Sequence, residues 1–167
     1  AFAEPDRSMV GGRGVCMIQK VKGTRDILPP DSRLWIEVEA IAHRVFSGFG
    51  YDEIRLPLME PTELFVRSVG EDTDIVNKEM YTFFDRKGRS LTLRPEGTAP
   101  VVRAFVQHAM QRAVATGYPE RYYSMGPRVR DERPQKGRQR QIHQIGVEVH
   151  GSAEPLVDAE TVQMVML

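Results

Sequence analysis

Residues 122–151 decide the fold of this chain, and they read YYSMGPRVRDERPQKGRQRQIHQIGVEVHG. Two runs with strand character flank residues 133–138, a cationic stretch that contains a proline and a glycine, which break regular structure. The second run, 141–150, alternates with the period of a β-strand. One of its faces ends in an apolar stripe of three residues, Ile145, Val147 and Val149. We therefore predict a β-hairpin with a basic loop at the centre of the fold.

The opposite face of this hairpin is polar in an unusual way. Gln144 and Glu148 lie on either side of Gly146, and a missing side chain between two polar groups leaves room for a ligand on a sheet. The preceding strand presents three charged residues on one face, Arg128, Arg130 and Glu132. A solvated polar face is the simpler interpretation. The mixture of arginines, carboxylates, Gln and Gly nevertheless favours a site for a small, charged, partly anionic molecule.

Length and composition set broad limits on the chain. Its 167 residues suit one domain with a sizeable core. The net charge is zero, so any attraction to nucleic acid or other anions must come from local clusters. We expect a cytoplasmic location, since the single cysteine, Cys16, suits a reducing compartment and no apolar run is long enough to span a bilayer. We expect residues 1–16 to be a disordered leader or a mis-assigned start, and 17–167 to form the domain.

Hydrophobic periodicity predicts both helices and strands along the chain. The expected helices are 32–49, 62–69, one that begins near residue 98, and 154–167. The expected strands are 51–58, which contains Pro57 and so belongs at an edge, and 80–84 and 90–94, which are joined by a turn at 85–88. The expected N-caps are Asp31 or Ser32, Thr62 and Thr98. The helix after Thr98 should bury an apolar stripe of Val101, Val102, Phe105, Val106, Ala109 and Met110.

Glu96 and Thr98 lie at a corner between a strand and a helix. Such corners often hold ligand groups, because backbone N–H donors at a helix start point outwards. The alternative is local: Glu96 would act as a first-turn carboxylate that complements the helix dipole, and Thr98 as a cap. The residues by themselves favour the local interpretation.

Three blocks of sequence carry a resemblance to a known family. Residues 130–144, RDERPQKGRQRQIHQ, resemble motif 2 of class II aminoacyl-tRNA synthetases in the form that histidyl-tRNA synthetases have. The blocks KGTRD at 22–26 and LRPEGT at 93–98 accompany it in the same order. The helix, strand and proline of residues 32–58 are similar to motif 1, the dimer interface of that class. The resemblance runs from Val21 to Leu167 and implies the N-terminal portion of a class II catalytic domain. That portion would be a truncated α+β fold with an antiparallel sheet flanked by helices.

The resemblance implies ATP-dependent activation of L-histidine to histidyl-adenylate, with Mg²⁺ carried by ATP, and transfer to tRNA(His) by a homodimer. It implies that Arg130 stabilises the charge on the α-phosphate. It also implies that Glu132 lies near the adenine amino group and that Arg138 reaches the γ-phosphate. It places Ile142 against adenine, where the family often has an aromatic residue. It assigns the histidine substrate to four residues, Glu96, Thr98, Gln144 and Glu148.

Several points stay open or negative. Surface charge is a competing explanation for Arg138, and more so for Lys136 and Arg140. His143 shares a face with Ile145, so we interpret it as a core or structural histidine. No cluster of cysteines and histidines indicates a metal bound by the protein.

Two rivals to an active ligase remain. The first is a paralogue of the same family, the histidine-binding regulatory subunit of ATP phosphoribosyltransferase, which is not catalytic. The second is a fragment without activity of its own. The family's histidine-specific signature, motif 3 and the anticodon-binding domain would all follow Leu167, so we expect this chain alone to be inactive.

Overall fold

The computed structural model describes residues 18–70, 79–115, 117–133, 135 and 137–166. The leader expected at residues 1–16 and the surface charge considered for Lys136 lie outside these ranges. So do residues 71–78, which the sequence predicts to be an acidic, polar connection. The helices are α1 (Asp31–Gly48), α2 (Thr62–Val69), α3 (Thr98–Gln107), α4 (Gln111–Val114) and α5 (Pro155–Val165). The strands are β1 (Asp52–Glu53), β2 (Met59–Pro61), β3 (Thr82–Phe84), β4 (Ser90–Leu93), β5 (Glu120–Val129) and β6 (Gln141–His150).

The long hairpin of β5 and β6 confirms the central prediction. The two strands pair antiparallel over their whole length, from Glu120 opposite His150 to Val129 opposite Gln141. The backbone N–H of Arg130 then donates to the carbonyl of Arg140 at 2.8 Å, which closes the base of the loop. The alternation of side chains in β6 fixes this register, because a slip by one residue would exchange its two faces.

The predicted α+β fold, with antiparallel strand pairing and flanking helices, is confirmed, and the sheet that contains the hairpin adds one parallel pair. Strand β1 pairs in parallel with β5, and the order is β1-β5-β6. A parallel pair needs a long crossover, and the second sheet and helices α2 to α4 supply it. The second sheet, in the order β2-β4-β3, is wholly antiparallel.

Strand 51–58 was expected as one edge strand, and the structure divides this region. Only Asp52–Glu53 pairs with β5, and pairing resumes with β4 at Met59–Pro61. Both short strands are at the edge of their sheets, as the proline predicts. Pro57 has no N–H to donate, and it lies in the unpaired stretch between them.

Helix α1 uses only its C-terminal half to pack against the main core. The main core contains a buried cluster of Tyr51, Tyr123 and Met164. Val45 and Phe46 of α1, and Phe49 just after it, pack against this cluster. The apolar stripe that predicts helix 32–49 also contains Leu34, Val38 and Ile41, and these are 60%, 55% and 47% exposed. The periodicity therefore predicted the helix correctly, but only part of the stripe faces the core of this chain.

The predicted N-caps are wrong. Helices α1, α2 and α3 begin after Pro30, Pro61 and Gly97, and no side chain of these residues forms a cap hydrogen bond. The Thr62 hydroxyl bonds instead to Ser90 at 2.7 Å and to Thr92 at 2.9 Å, between the helix and β4. The prolines before α1 and α2 fix φ and carry no polar side chain, so these two helices begin without a polar group in the cap position.

Helix α3 buries small residues more than the large ones that the sequence suggested. Its buried residues are Ala99, Pro100, Val101 and Ala104. Val102 and Val106 were expected in the stripe and are 42% and 61% exposed. Small side chains permit close approach to α2, and the helix is anchored further by the ion pair between Arg103 and the buried Glu60, at 2.6 Å.

The turn between β3 and β4 has the predicted chemistry. The Asp85 carboxylate accepts hydrogen bonds from the backbone N–H groups of Lys87 and Arg89, at 2.8 and 2.9 Å, and Gly88 has a positive φ. Helix α4 was not predicted, and α5 ends earlier than the periodicity suggested. None of the helices in the described ranges combines the length and the apolarity that a membrane span requires.

Candidate functional site

The start of α3 and the end of β6 meet at a direct hydrogen bond. The Thr98 hydroxyl donates to the Glu148 carboxylate at 2.6 Å. Glu148 lies on the polar face of β6, as the alternation predicted, and α3 is oriented so that its first residue reaches that face. Two of the residues expected to hold one ligand are therefore in contact, although they are 50 positions apart in the chain.

Glu96 lies at the same corner and caps α3. Its carboxylate accepts the N–H of Thr98 at 2.5 Å and the N–H of Ala99 at 3.1 Å. The local interpretation of Glu96 is thus realised, with Glu96 rather than Thr98 as the capping residue. Both residues also line a cavity of about 490 Å³. The other lining residues are Leu64, Ser68, Ala99 and Val102.

Arg130 follows β5 directly and points towards this corner. Its Nε donates to the carbonyl oxygen of Pro95 at 2.9 Å. One terminal nitrogen lies 3.7 Å from the Glu132 carboxylate, and the side chain is 26% exposed. A guanidinium that is fixed at Nε and open at its outer nitrogens can still bind an oxyanion with its remaining donors.

Glu132 lies between two arginines. It is 3.7 Å from Arg130 and 3.6 Å from Arg138, distances that allow charge attraction but exceed a hydrogen bond. Arg138 is 64% exposed at its side chain, in the loop between β5 and β6. The structure therefore brings these three predicted residues into one cluster. Arg138 is held far more loosely than Arg130.

Gln144 and Ile142 share the face of Glu148 but are less closely joined to it. Gln144 lies opposite Gly126, and its side chain is exposed. Ile142 lines a separate cavity of about 220 Å³, together with Arg25, Trp35 and His143. The polar face thus carries these residues in a row, and the cavity beside Glu96 does not include Ile142.

His143 lies on the other face, as predicted, but it is not a core residue. Its ring contacts Trp35 edge-to-face, with 4.6 Å between centroids, and the residue is exposed. Ile145 is also 43% exposed, whereas Val147 and Val149 pack on the main core. The apolar stripe of β6 is therefore buried at only one end, where α5 and the C-terminal end of α1 cover it.

The block at residues 22–26 meets the hairpin at the base of its loop. The backbone N–H of Arg140 donates to the carbonyl of Gly23 at 2.7 Å. The side chain of Arg140 lies 3.1 Å from Asp131, and the Tyr81 hydroxyl donates to the same carboxylate at 2.9 Å. These contacts give Arg140 a structural role at the loop base, which explains its charge without a ligand.

Two buried arginines were missed as members of the site. Arg94 is 5% exposed, and it donates to the carbonyls of Pro127 and Leu56, both at 2.8 Å. Arg128 is 1% exposed, donates to the Ser124 hydroxyl at 3.3 Å, and has no partner for Nε. Burial lowers the pKa of both groups. For Arg128 the charge of Arg94 adds to this effect and Glu96 opposes it, which brings its pKa to about 10.

Arg128 packs closely under Gly97. A Cβ on Gly97 would lie 2.5 Å from the Arg128 Nη2, so only glycine fits at this position without a shift. Strand alternation did place Arg128 on the polar face. Its burial depends on Gly97, which is 31 positions away, and the sequence offered no sign of that contact.

No group of three or more His, Cys, Asp or Glu residues in the described ranges is arranged to hold a metal ion.

Comparison with known proteins adds independent information. The family model for histidyl-tRNA synthetase matches residues 23–167. The histidine–tRNA ligase of Thermosipho africanus is 56% identical over 146 residues, which cover 87% of this chain and 34% of that relative. The structure of apo S. aureus histidyl-tRNA synthetase has a TM-score of 0.73 at 41% identity, covering 90% of this chain and 33% of that one.

A further solved structure is titled an ATP phosphoribosyltransferase regulatory subunit/histidyl-tRNA synthetase, from Bacillus halodurans. It has a TM-score of 0.74 at 27% identity, and the match covers 90% of this chain and 37% of that one. The Bacillus halodurans protein, whose title names the regulatory function, therefore shares this fold at a lower sequence identity than the S. aureus synthetase does.

The mixed sheet, its flanking helices and these structural matches define an α+β domain of the class II aminoacyl-tRNA synthetase type. Within that class, the chain belongs to the histidyl-tRNA synthetase family. It spans about a third of the length of the curated relatives that it matches.

Proposed function

We propose that this chain is the histidine- and ATP-binding portion of a histidine–tRNA ligase. The observation that carries the proposal is the corner where Thr98 bonds to Glu148, with Glu96 beside it and Arg130 fixed on Pro95. Carboxylates and a guanidinium are thus presented side by side. An amino acid that carries an ammonium group and reacts with a phosphate needs both kinds of group.

Histidine would bind at the corner between α3 and β6. The Glu96 carboxylate would accept the α-ammonium group, since a charged acceptor at the helix start is already in place. Thr98 holds the Glu148 carboxylate, which would then accept an imidazole N–H. Gln144 would contribute from the same face of β6. A site that hydrogen-bonds the imidazole rejects apolar analogues of similar size, because its buried polar groups would be left unpaired.

ATP would bind along the base of the hairpin loop. Arg130 would stabilise the charge that develops on the α-phosphate when the histidine carboxylate attacks it. Glu132 would accept from the adenine amino group, Arg138 would reach the γ-phosphate, and Ile142 would pack against the base. Mg²⁺ would arrive with ATP, and its ligands would include phosphate oxygens. The reaction releases pyrophosphate and leaves histidyl-adenylate, whose acyl group is transferred to tRNA(His). Such an enzyme would work in the cytoplasm.

Histidine-dependent exchange between ATP and pyrophosphate tests the proposal. The full-length protein means this chain with the segments that its relatives carry and that this stretch lacks. We expect the full-length protein to catalyse exchange. The 167-residue chain alone should show none, because the proposed site lacks groups that the family supplies from elsewhere. Exchange by the chain alone would refute the expected inactivity, and a full-length protein without exchange would refute the ligase.

The regulatory-subunit alternative has support from the structural match with the Bacillus halodurans protein. Both functions need histidine binding, so binding alone does not separate them. A full-length protein that binds histidine but forms no adenylate would favour the regulatory function. The charged residues of the hairpin favour the ligase, since Arg130, Glu132 and Arg138 together would serve ATP, which a histidine sensor does not consume.

A homodimer is part of the same proposal. Leu34, Val38 and Ile41 form an exposed apolar row at helical spacing on α1, which suits a subunit interface. We expect the full-length protein to sediment as a dimer and the Val38→Glu variant to shift towards monomer. A charged residue at the centre of a buried apolar row would be left without a partner. A monomeric full-length protein at micromolar concentration would contradict this.

A further inference from the structure

We propose that Arg128 is an electrostatic positioning residue of this site: its buried and incompletely paired positive charge favours an oxyanion of the bound substrates. The inference rests on the proposed function, because the oxyanion belongs to the histidine carboxylate or to a phosphate of ATP. It goes beyond that function by giving a role to a side chain that does not touch the ligand. Arg128 lies under the corner between β4 and α3, where Glu96 and Gly97 stand.

The hydrogen bonds of Arg128 are weak for a buried guanidinium. It donates to Ser124 at 3.3 Å and to the carbonyl of Pro127 at 3.2 Å, and its Nε has no acceptor. Nearly all buried polar groups in proteins are hydrogen-bonded, and a buried donor without an acceptor lowers the stability of the fold. Packing of the hairpin alone therefore does not explain why a guanidinium is buried here.

The charges around the corner are also unequal. Arg128 lies under Gly97 and Arg130 donates to the carbonyl of Pro95, while the charges of Arg94 and Glu96 both act on Arg128. Within the described residues, Arg94 and Arg128 form no ion pair within 4.0 Å, whereas Arg130 approaches Glu132. If Glu96 pairs with the ammonium group of histidine, it no longer offsets the positive charge of these arginines. That charge then attracts an anion.

Burial strengthens the effect of this charge. Field lines that pass through the protein interior are screened less than those through water, so a cation under the floor of a site acts on a ligand above it. The same burial makes the charge unfavourable before any anion binds, because Arg128 has lost water without gaining full hydrogen bonding. Arg128 should therefore lower the stability of the free protein and raise its affinity for an anionic ligand.

The test compares Arg128→Met with Arg128→Lys in the full-length protein. Methionine is long, flexible and uncharged, so it fills the same space without the charge, and lysine keeps the charge. Calorimetry gives the Tm of the free protein. Titration calorimetry gives the Kd for histidine, for ATP and for histidinol, which has the imidazole and the ammonium group but no carboxylate.

We expect Arg128→Met to raise the Tm by about 2 °C or more. It should weaken binding of an oxyanion ligand roughly tenfold, while histidinol binding stays unchanged. A loss for histidine assigns the effect to its carboxylate, and a loss for ATP assigns it to phosphate. Arg128→Lys should keep these affinities if it folds. An equal loss for histidinol would show that Arg128 acts through Glu96 instead, and would overturn the proposal.

A purely structural Arg128 gives the opposite pattern. In that case Arg128→Met would lower the Tm, or would bind all three ligands unchanged, and a folded Arg128→Lys variant would lose affinity despite its charge. Either result overturns the inference while the unsubstituted protein still binds histidine and ATP. An unsubstituted protein that binds neither ligand would instead refute the proposed function, and this inference with it.

Discussion

Replacing Arg130 by alanine should lower the rate of histidyl-adenylate formation by roughly 10²- to 10³-fold in the full-length protein, as for other lost donors to developing charge. The physical reason is that Arg130 is fixed on the Pro95 carbonyl through Nε, so its terminal nitrogens remain as donors for a phosphate. Its donors meet the phosphate where charge develops in the transition state, so kcat should fall far more than histidine affinity. Single-turnover measurement of adenylate formation, together with histidine titration, separates the two.

A matched control for this variant is Arg55→Ala. Arg55 is 82% exposed at its side chain and pairs with Glu53 at 3.0 Å, away from the corner. Loss of such an exposed pair costs little stability and should leave adenylate formation unchanged. Equal rates for Arg130→Ala and Arg55→Ala would remove Arg130 from the reaction.

The Glu96→Gln variant should weaken histidine binding by roughly 30- to 100-fold, because the ammonium group loses a charged acceptor and finds an amide in its place. The amide oxygen can still accept from the Thr98 and Ala99 backbone, so α3 should remain capped. ATP affinity should change little. Titration of histidine and of ATP against the folded variant measures both quantities.

Glu63→Gln is the control for the contribution that an acidic side chain makes at a helix N-terminus. Glu63 is also an acidic residue in a first helical turn, that of α2, and it pairs on the surface with Arg67. It shares the interaction with a helix dipole but not the proposed ligand. If the two variants lower histidine affinity alike, Glu96 acts only as a cap.

The sequence predicted the parts of the fold that follow from local pattern. Alternation in 141–150 fixed the hairpin and its two faces, and the Asp85–Gly88 turn follows from side-chain chemistry within five residues. Glu96, Thr98 and Glu148 were expected together only because of the resemblance, since no local rule joins residues 96–98 to residue 148. The roles of all these residues in binding remain predictions.

Other features could not be predicted because they depend on distant contacts. The parallel pairing of β1 with β5 joins Asp52 to Tyr122, residues that are 70 positions apart in the chain. Thr62 leaves its expected cap position because hydroxyls of β4 lie within reach. Arg128 becomes buried because Gly97 has no side chain. In each case tertiary packing overrode a preference that is defined over a few residues.

The central claim is that one corner of this domain receives histidine and the α-phosphate of ATP together. A crystal structure of the full-length protein with a non-reactive histidyl-adenylate analogue tests this most directly. We predict that the ammonium group lies within hydrogen-bond distance of Glu96, that the imidazole contacts Glu148, and that Arg130 contacts the group in the place of the α-phosphate. An analogue bound elsewhere, with these three side chains free of it, would contradict the claim.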